Sequence, residues 1–389
     1  MRCRRFLLAL IVAALPAWAQ APYAQRIDVP ALTALGRAVF FDAELSPSGA
    51  VSCASCHDPR HAYGPPDADA LKLGFRAAPS LRYLNTLPAF DEHHFDNDGD
   101  DSVDLGPTGG HTWDGRAASA HEQARLPFLS ADEMGGPTGA AIVARLRIAP
   151  YAAQFRAAFG GDIFARPEAA FDAALMALEV FQQSPPDFYP FSSRFDAMLR
   201  GQGPLSELEM RGLALFNDPA KGNCATCHLS TIKADGALPL FTDFGHIAIG
   251  VPRNAAIKAN ADPRFFDLGL CGPLRTDLKD HAEYCGRFRT PSLRNVATRR
   301  SFFHNGVITT LDEAVRFYAR RDTDPARWYG AAGKFDDLPP RYHANVNMEA
   351  PFGGAIGTAP ALSDAEVADV VAFLKTLTDA DQGENAATR

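Results

Sequence analysis

The chain has 389 residues, a formal net charge of −8, and 47% hydrophobic and 22% charged residues. That is enough apolar material for a sizeable core, and the length suggests two domains. The negative balance argues against nucleic acid and against an anionic membrane surface as partners.

The first residues read as an export signal rather than as structure. Arg2, Arg4 and Arg5 form the charged start, Phe6 to Leu15 the apolar core, and Ala17-Trp18-Ala19 a small-residue cleavage site. Cleavage is expected after Ala19, with residues 1–19 removed; Cys3 precedes the apolar core and so cannot be a lipoprotein cysteine at that site. No later stretch is apolar for long enough to span a bilayer. The expected location is the periplasm, an oxidising compartment.

Leu35-Gly36-Arg37-Ala38-Val39-Phe40-Phe41 has the spacing of a short helix, followed by a polar turn and Cys53-Ala54-Ser55-Cys56-His57. The pattern returns as Arg211-Gly212-Leu213-Ala214-Leu215-Phe216 before Cys224-Ala225-Thr226-Cys227-His228. C-x-x-C-H is the attachment sequence for c-type haem: each thiol adds to a vinyl group and the histidine becomes the proximal iron ligand. A thioredoxin-like pair does not need the following histidine, and a zinc knuckle should close with four ligands. Two covalent haems, each in its own domain, are the expectation. The domains are placed at residues 27–190 and 204–380, joined through the Pro-, Gly- and Ser-containing stretch Phe188 to Pro204.

Between the two copies, Asp96-Asn97-Asp98-Gly99-Asp100-Asp101 resembles the first half of a calcium loop. Asp101 stands where glycine is needed, and Pro107 where glutamate is needed. A solvated acidic loop is the preferred reading, with calcium as the alternative. Ser119 and Glu122 read as a capping box for a helix bearing Gln123 and ended by Pro127. Gly160 to Gln183 carries the apolar pattern of one helix or two. After the second copy, Cys271 and Cys285 remain once the signal and both haems have taken their cysteines, and a disulfide between them is expected. Thr310 and Glu313 form another capping box, for a helix with Leu311, Ala314, Val315 and Tyr318 on one face. Ser363 and Glu366 cap a last helix, Asp364 to Leu377, with Val367, Val370, Val371 and Leu374 on one face. Long loops at Arg60–Pro79 and Lys233–Thr290 complete a mainly α chain of two tandem cytochrome c-like haem domains, without convincing strands.

The order CASCHDP, APSL, WDGRA, EQA-x-x-P, DEMG, GLALF, CATCH, TPSLRN, FFHNG and TLDEAV resembles the bacterial dihaem cytochrome c peroxidase and MauG superfamily, from about Leu35 to Leu377. The resemblance implies a peroxide-reacting haem at His57 and an electron-transfer haem at His228. It implies that Gln123 and Glu133 are the distal glutamine and glutamate, and that Trp113 lies between the haems. A carboxylate can move the peroxide protons and an amide can orient the peroxide. His304 matches a family histidine at the second haem. Tyr318, fourteen residues on, stands where many peroxidases of the family have a methionine ligand and MauG has tyrosine; Met348 is its rival. A distal histidine of the kind those peroxidases carry is not found. His61 follows His57 too closely to cross the ring, while His93, His94 and His111 lie in the insertion or at its edge. The asparagine of the family's calcium site falls at Ala77.

The reading is a periplasmic dihaem c-type oxidoreductase that reduces hydrogen peroxide with electrons from a small cytochrome c or cupredoxin. The alternatives are a MauG-like enzyme that oxidises residues of a partner protein, and an electron carrier without peroxide chemistry.

Overall fold

The computed structural model describes residues 28–67, 74–95, 104–330 and 333–382. The signal segment and the core of the calcium-like loop lie outside these residues.

The first hydrophobic cluster is built on helices. Asp28 caps α1 (Val29–Phe41) by accepting the Ala31 N–H, and Pro30 sits in its first turn. Leu32, Leu35, Val39 and Phe40 are buried on its inner face. The one-turn α2 (Cys53–Cys56) carries the first attachment cysteines. There follow α3 (Ala120–Leu129), α4 (Gly139–Leu146), α5 (Ala152–Phe159), α6 (Pro167–Gln182) and α7 (Pro185–Phe188). The largely buried α6 packs against α1, α3 and α4 and forms the spine of this unit.

A second cluster begins at Phe195 and runs to Leu377. It is formed from α8 (Arg194–Leu199), α9 (Glu207–Asn217), α10 (Leu311–Arg320) and α11 (Asp364–Lys375). The segment between α9 and α10 is mostly irregular. It holds one two-stranded antiparallel pair, β1 (His246–Ile247) with β2 (Phe288–Arg289), and the Cys271–Cys285 disulfide.

The repeat has a packing reason. A Cβ at Gly36 would overlap the Ala177 carbonyl, so the glycine lets α1 lie close on α6. Gly212 does the same for α9 beneath the Asp369 carbonyl of α11. One helix-crossing device is thus used once in each unit.

Local expectations are corrected at several points. Residues 160–166 do not join the helix: Gly160, at φ 103, ends α5, and α6 starts at Pro167. Pro127 does not end α3, which continues to Leu129 and closes through the Ser130 N–H on Leu126 O. Two capping boxes are half-formed. Ser119 and Thr310 accept from Glu122 and Glu313 N–H, but Glu122 turns to the Ala118 N–H and Glu313 to Arg327. The Ser363–Glu366 box is complete.

After α11 the chain returns to the first unit. Asp379 accepts from Arg82 Nη1 (3.0 Å), Tyr83 Oη (2.7 Å) and Asn295 Nδ2 (2.6 Å). Asp381 takes Arg82 Nη2 at 2.5 Å, and Gln382 bonds the Ala62 N–H and the Pro59 carbonyl.

Candidate functional site: two cavities and the residues between them

Each C-x-x-C-H segment borders a large cavity, about 1890 Å³ in the first unit and about 1760 Å³ in the second, counted out to the mouths. In the first, Cys53, Cys56 and His57 face a wall that includes Gln123, Glu133 and Arg116. His57 Nδ1 lies 3.1 Å from the Tyr63 carbonyl, which fixes the ring and leaves Nε2 as the nitrogen that could ligate an iron. His228 Nδ1 meets the Phe241 carbonyl at 2.8 Å in the same way. Burial outweighs these contacts and pulls both imidazoles down to about 4, so both rings are neutral. Burial also pushes the thiols of Cys53, Cys224 and Cys227 up to about 12. A redox-active cysteine pair needs a thiolate near neutral pH, and these thiols do not supply one.

Gln123 projects from α3, and Glu133 comes from the turn that follows it; they meet at the first cavity. Burial raises the Glu133 carboxyl above its ordinary range, against the pull of Arg116. Arg116 belongs to the WDGRA motif, but nothing in its local sequence marks it as a residue of the site. His111 also lines this cavity and is mostly buried, whereas His93 is exposed and bonded to Asp104 at 2.7 Å. His61 is buried beside Asp58 at 3.3 Å and is not among the cavity residues. The reason differs from the one expected: the helix stops at Cys56, and Pro59–His61 is a separate 3₁₀ turn.

In the second cavity, the α10 face expected from the sequence is present: Leu311, Ala314, Val315 and Tyr318 all line it. The Tyr318 ring packs on Phe352 at 5.4 Å, and burial raises its phenol. Met348 is 47% exposed, its sulfur takes a hydrogen bond from Arg321 Nη2, and it is not among the lining residues. His304 lines the cavity, stacked on Phe288 at 3.5 Å.

Trp113 borders both cavities. Its indole N–H donates to the Ala77 carbonyl at 2.7 Å, and the Ala77 N–H donates to the His304 carbonyl at 2.7 Å. Both backbone groups of Ala77, at the position matched to the calcium asparagine, are therefore engaged within the protein.

The donor set fits a haem at each cavity. Arg289 borders both cavities and Arg299 the second; both guanidinium groups are buried, and each leaves one Nη without a partner. Burial pulls each down to about 10, with no carboxylate beside it to offset the cost. A haem brings two propionates, the anionic groups these cations lack.

The family described as di-haem cytochrome c peroxidase matches residues 30–203. The chain belongs to this family of dihaem oxidoreductases, the cytochrome c peroxidases and MauG proteins, and membership implies two c-type haems. The methylamine utilization protein MauG of Paracoccus denitrificans is 35% identical over 396 residues, covering 96% of this chain and 94% of its own. The solved structure of the diheme peroxidase BthA from Burkholderia thailandensis matches with a TM-score of 0.81 at 42% identity, over 93% of this chain and 89% of its own. A MauG-like protein associated with microbial copper homeostasis matches at TM-score 0.64 and 28% identity, over 94% and 95% of the two chains. Among the described residues, no helix is long and apolar enough to cross a membrane.

Proposed function

We propose that the protein is an exported, periplasmic enzyme that reduces hydrogen peroxide at the first cavity and exchanges electrons through the second. A c-type haem held at each attachment site, by Cys53, Cys56 and His57 or by Cys224, Cys227 and His228, would supply redox-active iron for one-electron steps. Hydrogen peroxide takes up two electrons and two protons and leaves as two waters. Glu133, its carboxyl raised above the ordinary range by burial, takes and returns the protons, and the Gln123 amide orients the peroxide. Arg116, across the wall, favours negative charge as the oxygen–oxygen bond lengthens. Trp113 lies on the electron path between the cavities.

The observation that carries this reading is the placement of Gln123 and Glu133 on the same cavity as His57. Glu133→Gln keeps the volume but cannot shuttle a proton. Peroxide turnover should fall about a hundred- to ten-thousand-fold, with both haems still bound. Near-normal turnover would remove Glu133 from the mechanism. The same two residues count against a carrier without peroxide chemistry.

One observation favours a MauG-like variant: Tyr318 lines the second cavity while Met348 turns away. Phenolate is a hard anionic donor that favours ferric iron, so a haem held by Tyr318 in the second cavity would store an electron poorly. On this reading the loaded protein would respond to peroxide without prior reduction, and residues of a partner protein would supply the two electrons. On the other, a small cytochrome c or cupredoxin supplies electrons. Mixing diferric protein with peroxide while following both haems by optical and EPR spectra separates the two. A protein inert until one electron is added is the donor-dependent peroxidase.

A further inference from the structure

Alongside Trp113 runs a buried ladder of ions that joins the two cavities. Arg116, on the first cavity, donates to Asp114 at 2.9 Å. Asp114 also receives Arg76 Nη1 at 2.6 Å, and Arg76 in turn grips Asp267 through Nε (2.6 Å) and Nη2 (2.7 Å). Asp267 lines the second cavity. Arg76 and both aspartates are at least nine-tenths buried. The ladder therefore starts in one unit, ends in the other and carries as many positive as negative charges.

Such an arrangement is poorly explained as a stabiliser. Well-packed apolar residues often match or exceed a buried ion pair in stability, because desolvation cancels much of the attraction. What a bidentate arginine does supply is fixed geometry. Here the geometry is laced twice to the same tryptophan. Arg76 holds Asp114, the residue after Trp113, while Trp113 bonds the carbonyl of Ala77, the residue after Arg76. From the second unit, the Arg289 N–H holds the Trp113 carbonyl at 2.9 Å and Arg289 Nε the Thr112 carbonyl at 3.1 Å. Burial opposes the charge on Asp114, but Arg76, Arg116 and Thr112 hold its carboxyl down at about 2, so Asp114 stays ionised at neutral pH.

We propose that Arg76 is a positioning residue for electron transfer between the cavities: clamped by Asp114 from one unit and Asp267 from the other, it fixes the Trp113 indole between them. The inference rests on the reading of Trp113 as the electron path. One electron passes from the second site to the first per event, and two events match the two electrons that one peroxide consumes.

The test uses the holoprotein and charge-conserving variants. Arg76→Lys keeps the charge but loses the two-pronged hold on Asp267; Asp267→Glu keeps the charge but shifts the grip, and serves if the first variant does not fold. The measured quantities are the rate of electron exchange between the haems after photoreduction of one of them, both midpoint potentials, haem content by intact mass, and thermal unfolding. The expected result is exchange slowed about 10- to 100-fold, the scale of an ångström-sized misplacement. The potentials and the haem content should be unchanged. A purely structural role would lower the unfolding temperature and leave the exchange rate alone, and that outcome overturns the proposal. Trp113→Phe is measured beside them. If it leaves exchange at the wild-type rate, the electron-path reading itself fails. If it slows exchange and the Arg76 and Asp267 variants do not, only the positioning role fails.

Discussion

Tyr318 and Met348 are the two candidates that would hold the iron of a haem in the second cavity, and their surroundings separate them. Tyr318 stands on the cavity face of α10, whereas the Met348 sulfur is engaged by Arg321 outside it. Methionine ligation raises a haem potential, and a hard phenolate does the opposite. Tyr318→Met should therefore raise the midpoint potential of the second haem, read by spectroelectrochemistry, while Met348→Leu should leave it unchanged. A shift in the second variant and none in the first would reverse the assignment. Asp114 offers a check at another pH. Its folded-state pKa of about 2 lies below the ordinary carboxylate value, so the stability it contributes is full above about pH 4. That contribution falls as the pH drops through 2, and Asp114→Asn should flatten this part of an acid-unfolding profile. At this scale the cavity positions of Tyr318, Gln123 and Glu133 were legible, Tyr318 from the periodicity of its helix and the other two only through the ordered family motifs. Arg76 and Asp267 are 191 positions apart, in loops without periodicity, and nothing local announces that they meet.

At the scale of elements, the paired glycines make a direct prediction. An added methyl at Gly36 meets a backbone carbonyl of α6, and one at Gly212 meets a carbonyl of α11; neither can swing aside as a flexible side chain could. Gly36→Ala and Gly212→Ala should each destabilise the protein by about 1–3 kcal/mol or more, seen as a lower denaturant midpoint. The repeat was readable because it keeps the glycine and the apolar residues in register, although the packing reason was not. The disulfide was likewise reached by elimination. It closes a loop of 14 positions in an irregular segment. Cys271→Ser with Cys285→Ser should cost about 3 kcal/mol, measured by unfolding under non-reducing conditions. The local misreadings share a cause. Pro127 and residues 160–166 lie at helix ends, where a single hydrogen bond decides whether the turn continues, and Glu122 and Glu313 found other partners than their caps.

For the whole molecule, two haem additions on the purified holoprotein are the expected intact mass after acid–acetone extraction. One or none would overturn the architecture. The fold class was legible because two attachment motifs, each behind the same helix, call for two similar units. How the units share a boundary was not, since that boundary is built from the ladder, Trp113 and the tail from Asp379 to Gln382. The tail also separates the order in which the chain is made from the order in which it can finish folding. Domains usually fold as units, the N-terminal one first during synthesis. Here the two Nη groups of Arg82 and the Ala62 N–H find their partners only when residues 379–382 arrive, although Arg82 Nε already holds the Asp187 carbonyl at 2.9 Å. A half-made chain therefore carries a first unit with a buried arginine still lacking its counter-ions. A chain stopped after Thr378 should keep that defect permanently, at about 3–5 kcal/mol, and be cut by protease near Pro59–Arg82 faster than the full protein. The earliest unit to be translated is thus among the last to become secure.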